Sequence, residues 1–110
     1  MQYALLIYGR PTDPTGPISS GIAAVLDQPS VSGWARLHVD GSATTLRADQ
    51  GKTLLTDGPF VDSKEYLAGL IIVEADNLDG ALAVAQQFQD ARDGGAIEVR
   101  PVVESLFRGA

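Results

Sequence analysis

One hundred and ten residues, 45% hydrophobic and 20% charged, fit one globular domain over residues 1–110 and give no compositional reason for disorder. A net charge of −6 leaves no basic stripe for nucleic acid or an anionic membrane, so neither is expected as a partner. The absence of cysteine excludes disulfides and thiolate chemistry, and a single histidine argues against a zinc site, so no cofactor is expected.

The N-terminus "MQYALLIYGR" has no basic segment ahead of its apolar run, and the run is too short for a signal peptide or a membrane span. A cytoplasmic protein is expected. Tyr3 to Tyr8 reads as a strand buried on both faces, ended by Gly9. The proline- and glycine-rich stretch "GRPTDPTGPISS" predicts a loop over residues 9–20. Ser19 or Ser20 is placed to cap a short helix in which Ile22, Val25 and Leu26 share a face. Val31 to Val39 alternates at strand period and sets Trp34, Arg36 and His38 on one side.

"DGS" then predicts a turn, and "TTLRA" and "KTLLTDG" flank "DQG" as a hairpin. Tyr66 to Glu74 is the most hydrophobic stretch and is expected to be a central strand. Asp76 or Asn77 caps a second helix, with Leu78, Ala81, Leu82, Ala85 and Phe88 at helical spacing. "AIEVRPVVE" supplies a last strand, and Pro101 marks it as an edge strand or marks its end. The order describes a ferredoxin-like α+β fold: an antiparallel sheet with two helices on one face and a hairpin inserted between the halves.

Several motifs fail on inspection. "QGKT" at residues 50–53 resembles the tail of a phosphate-binding loop, but Leu46 stands where that loop needs glycine. No G-x-G-x-x-G and no G-x-S-x-G occurs. What remains is His38 and the acid-rich stretch "TDGPFVDSKE" at residues 56–65. An imidazole oriented by a carboxylate shuttles protons near neutral pH, which makes His38 and Asp57 the candidate acid–base pair.

Each of these residues also has a plain structural reading. Asp-Gly is a common hairpin turn signal, and Phe60 would anchor the loop in the core. Lys64 and Glu65 would form solvated pairs. Arg100 would hold an anionic substrate group, or pair with Glu98 on its own strand face, and the pairing is the simpler reading. Trp34 offers aromatic lining, although strand aromatics are mostly core. On the residues alone, a turn is favoured over a site.

"TDGPFVDSKEYLAGLIIVEADNLDGALAVA", "GGAIEVRPVVE" and the opening "MQYALLIYG" together resemble the DGPF-type branch of the YCII-related family. The resemblance implies a homodimeric α+β barrel in which two sheets enclose a cleft for a small-molecule ligand. It also implies a His–Asp pair near that cleft, carried here by His38 and Asp57. In the broader family a relative dehydrochlorinates a chlorinated hydroxyquinol, and several DGPF proteins are encoded beside extracytoplasmic-function sigma factors.

Two functions are therefore expected from the sequence. The first is a cofactor-independent lyase, isomerase or dehalogenase acting on a small aromatic or polyketide-like molecule. His38 and Asp57 would be catalytic, and Arg100, Lys64, Trp34 and Phe60 would bind substrate. Proton transfer of this kind supplies about 10²–10⁴ in rate. The alternative is a non-catalytic binding or regulatory dimer, linked to a sigma factor.

Overall fold

The computed structural model describes residues 1–11, 13–61 and 63–108, so Asp62 of the "TDGPFVDSKE" stretch lies outside the described residues. Strand β1 (Gln2–Gly9) leads through the 10–19 loop to helix α1 (Ser20–Leu26) and strand β2 (Val31–Arg36). A hairpin of β3 (Thr44–Asp49) and β4 (Lys52–Asp57) follows. Strand β5 (Tyr66–Glu74), helix α2 (Leu78–Asp90) and strand β6 (Ala96–Pro101) complete the chain. The main sheet has the order β2-β5-β1-β6 with every pair antiparallel, which is the ferredoxin-like arrangement. As expected, Tyr66–Glu74 is central, and Pro101 ends an edge strand. No helix among the described residues is long and apolar enough to cross a membrane.

Both helix starts are capped by side chains. Ser19 Oγ accepts from the Ile22 N–H at 3.3 Å, and Asn77 Oδ1 accepts from the Gly80 N–H at 3.1 Å. The core lies between the helices and one sheet face, where Tyr3, Leu5, Ile7, Ile71 and Val73 meet Val25, Ala81, Val84, Ala85 and Phe88. The expected buried stripe of α2 needs correcting: Leu78 and Leu82 are exposed, and Val84 is buried instead. At 100° per residue, Ala81, Val84, Ala85 and Phe88 form one stripe and Leu82 turns to its flank. The first strand also departs from expectation. Tyr3, Leu5 and Ile7 are buried while Ala4, Leu6 and Tyr8 are half-covered, because the helices shield only one face. Opposite Ala4 and Leu6 stand Ile72 and Leu70, so this open face is apolar across the two central strands.

The second strand is shorter than the alternation of Val31 to Val39 predicts. A register shift between Val31 and Gly33 opposes extra residues of β2 to one step of β5. Val31 pairs with Val73 and Trp34 with Ile71, so both turn toward the helix layer despite their odd spacing. The Leu37 N–H still reaches the Ala68 carbonyl at 2.9 Å, after which the chain leaves the sheet for a 3-10 turn at Asp40–Ser42. His38 therefore lies beyond the strand.

The β3–β4 hairpin is a separate two-stranded sheet turned by Gln50 (φ 49) and Gly51 (φ 78), the paired positive φ of a type I′ turn. Leu46 and Leu55 stand directly opposite each other and are both about two-thirds exposed, at 68% and 69%. An isolated two-stranded ribbon is marginal in water.

Candidate functional site

His38 and Asp57 both sit near the root of the hairpin. His38 is exposed, and its Nδ1 accepts the Val39 backbone N–H at 2.9 Å. That bond leaves the neutral ring's proton on Nε2. Asp57 ends β4 opposite Thr44, with its side chain exposed. Among the described residues no hydrogen bond or ion pair joins the two, and none reaches the Asp57 carboxylate. The turn after Asp57 is held by other groups. Gly58, at φ 99, donates its N–H to the Ala43 carbonyl at 2.8 Å, and Thr45 Oγ1 donates to the Gly58 carbonyl at 2.8 Å.

The remaining residues expected at the site are scattered. Phe60 is 71% exposed rather than a core anchor, and the Arg47 guanidinium stands 5.4 Å from its ring centroid. The side chain that enters the core near this stretch is Tyr66. Lys64 is exposed and contributes its backbone carbonyl to Arg10. Arg100 Nε lies 4.0 Å from Glu98 Oε2, the pairing expected on that strand face, and both side chains are at least half exposed. Trp34 alone among the expected binding residues borders the main cavity.

That cavity, of about 640 Å³, lies within one chain on the helix side of the sheet, under the proline-rich 10–19 loop. The sheet supplies Ile7, Trp34 and Ile71, the helices supply Ile22, Leu26 and Phe88, and the loop supplies Pro11, Pro14, Pro17 and Ile18. Its size and apolar lining suit a small organic molecule. Three arginines, Arg10, Arg36 and Arg92, interrupt the lining, together with Glu65 and Asp93.

Arg10 ties the start of the loop to the 63–64 segment and Asp40, and Arg36 on β2 ties its middle to the sheet. Arg10 donates to the carbonyls of Lys64 and, at 3.0 Å, Ser63; its Nη2 pairs with Asp40 Oδ2 at 3.5 Å. Its guanidinium also stands 5.5 Å from the Tyr66 ring centroid. Arg36 donates to the Gly16 carbonyl at 2.7 Å and the Asp13 carbonyl at 3.4 Å. Within the loop, Thr15 donates its hydroxyl and its N–H to Asp13 Oδ1, at 2.9 and 3.0 Å. These bonds, the hydroxyl's first, hold the Asp13 carboxyl below the usual carboxylate range.

Arg92 is braced more closely. Its Nε donates to Gln89 Oε1 at 3.0 Å and its Nη2 to the Ala96 carbonyl at 2.9 Å. The Phe88 ring centroid lies 5.7 Å from its guanidinium carbon. Burial lowers its pKa, and Glu65 acts in the opposite sense. It stays a cation at physiological pH. No group of three or more His, Asp or Glu among the described residues is arranged to hold a metal ion.

The sequence profile of the YCII-related domain matches residues 1–105. The chain belongs to the YCII-related family. It is also 41% identical over 69 residues to an uncharacterized protein of Rhizobium meliloti (strain 1021), a stretch covering 62% of this chain and 56% of that protein. The chain thus spans little more than half the length of that curated relative.

In this YCII-related domain, sequence reasoning missed the three cavity arginines. Arg10 lies in a segment that reads as loop, Arg92 lies just past the helical spacing that ends at Phe88, and Arg36 reads only as a neighbour of His38. One signal was present: in an acidic chain, arginines follow the ends of β1 and α2, which the fold brings to one end of the sheet.

Proposed function

We propose that this YCII-related protein is a homodimeric small-molecule-binding domain whose ligand occupies the cavity under the 10–19 loop. The cavity carries the reading: about 640 Å³ of mainly apolar space, roofed by a loop held through Arg10 and Arg36. The half-covered apolar face of Ala4, Leu6, Leu70 and Ile72, with the exposed Leu46–Leu55 pair of the hairpin, supports dimerisation. In this reading the ligand lies inside each protomer rather than in a cleft between sheets.

The test uses the chain's single tryptophan, Trp34, which borders the cavity. A screen of aromatic acids and quinols by thermal shift and by Trp34 emission should find a compound that changes both. A ligand at a hundred times its dissociation constant stabilises by about 2.7 kcal/mol. A screen in which no compound moves either signal overturns the cavity reading.

A second reading, acid–base catalysis by His38 and Asp57, is favoured by one observation. Both side chains are exposed near the hairpin root, and the Asp57 carboxylate has no hydrogen-bond partner among the described residues. With Nδ1 accepting the Val39 N–H, the neutral His38 ring offers Nε2–H as a hydrogen-bond donor, and it would take up a proton as a base at Nδ1 only once that bond is released. Unchanged turnover of a bound compound by His38→Ala would reject this role and leave the binding reading intact.

A further inference from the structure

The cavity wall holds three of the chain's eight Lys and Arg residues but only two of its fourteen acids. Two of the three guanidiniums have structural tasks. Arg10 is paired with Asp40 and bonded to the 63–64 backbone, and Arg36 pins the loop through the Gly16 and Asp13 carbonyls. Arg92 differs from both. Its partners, Gln89 and the Ala96 carbonyl, are neutral; it is part-buried, and its Nη1 has no hydrogen-bond partner among the described residues.

The backbone around Arg92 is shaped to seat it. A Cβ added at Gly95 would lie 2.6 Å from Arg92 Nη2, and one added at Gly9 would lie 3.3 Å from Nη1. Gly94 and Gly95 both have positive φ, at 76° and 82°, and the turn they make brings the chain at Gly95 so close to the guanidinium that a side chain there would not fit. A cation fixed by two hydrogen bonds, an aromatic ring and two glycines has little freedom left to lose on binding an anion.

We propose that the ligand of this cavity is an aromatic or similarly apolar-bodied monocarboxylate, with its carboxylate bound by Arg92. The inference rests on the cavity reading above and names its ligand class. The three arginines and the two acids of the wall, Glu65 and Asp93, leave one net positive charge, which one carboxylate neutralises and a dianion such as a phosphate monoester exceeds. The apolar body would lie along Ile22, Leu26, Trp34 and Phe88.

The test compares benzoate with its neutral isostere benzamide on the full chain, by calorimetry and Trp34 emission. Wild type should bind benzoate at least about tenfold more tightly than benzamide, the scale of one charge-assisted contact. Arg92→Gln should bring that ratio close to one, chiefly through a loss of benzoate affinity. Arg92→Lys, which keeps the charge and loses the fork, should retain only part of the preference. A full preference surviving in either variant places the anion elsewhere and overturns the proposal, as does equal loss of both probes in Arg92→Gln. Benzamide binding without benzoate preference in wild type overturns the carboxylate inference and leaves the cavity reading standing. Failure of both probes on wild type, with no other compound of the wider screen active, overturns both.

Discussion

Gly94 and Gly95 form a natural pair for separating backbone strain from steric conflict at the Arg92 seat. They are adjacent and have nearly the same positive φ, 76° and 82°. A Cβ at Gly94 would meet nothing within 4 Å, whereas a Cβ at Gly95 would lie 2.5 Å from the Tyr8 carbonyl oxygen and 2.6 Å from Arg92 Nη2. Gly94→Ala therefore suffers only the left-handed penalty, about 1 kcal/mol after the gain from a stiffer unfolded chain. Gly95→Ala carries the same penalty and a conflict with a backbone oxygen on β1 that cannot swing aside. Overpacking of that kind adds about 1–3 kcal/mol. For 110 residues the unfolding entropy is about 0.23 kcal/mol/K, so each kcal/mol moves Tm by about 4 °C. By scanning calorimetry, Gly94→Ala should lose about 4 °C and Gly95→Ala about 8–16 °C. Equal losses in the two variants would refute the argument that Gly95 is needed for close approach.

Leu5 is fully buried, so Leu5→Ala should destabilise by about 2–5 kcal/mol in urea unfolding with its slope unchanged. Asn77→Ala removes the α2 cap and should lower Tm by about 4 °C, with Asn77→Asp retaining most of the stability. Leu6→Glu would set a carboxylate beside Glu98 on the open sheet face and should yield folded monomer in sedimentation velocity; an intact dimer would remove that face from the interface. Asp13 gives a pH prediction whose sign follows from its depressed folded-state pKa. The Asp13–Thr15 anchor is complete above the ordinary carboxylate value and is lost as pH falls through the lower folded value. The Thr15 amide resonance should therefore titrate below pH 3.8, and a midpoint at or above that value would contradict the hydrogen bonding.

Local chemistry made much of the fold legible. Ser19 and Asn77 were readable as caps, the positive-φ turn at Gln50–Gly51 follows from a short turn between two strand runs, and Pro101 marks where β6 stops. The misreadings also have local causes. Alternation from Val31 to Val39 carries the strand too far, because period alone cannot register the shift between Val31 and Gly33 or the 3-10 turn at Asp40–Ser42. The unbroken apolar run of β1 predicted burial on two faces, and one protomer covers only one. That mismatch is physically informative: the sequence encodes more apolar surface than a single chain hides, and the proposed dimerisation would cover this face.

The candidate site was less legible because its parts come from distant segments. His38 and Asp57 drew attention as residue types, since one histidine in an acidic chain is conspicuous. Yet a titratable type earns a catalytic role only through geometry, and His38 spends Nδ1 on its own neighbour's N–H. Arg92 was inconspicuous for the opposite reason. It follows a helix of unremarkable composition; Phe88 and Gly95 are its near neighbours in the chain, and only the antiparallel return of β6 alongside β1 brings Gly9 against it. Its value as a binding group comes from being held, and holding is a property of the fold. The ligand question is therefore best put first to Arg92, where charge, bracing and cavity coincide, and only then to the His38–Asp57 pair.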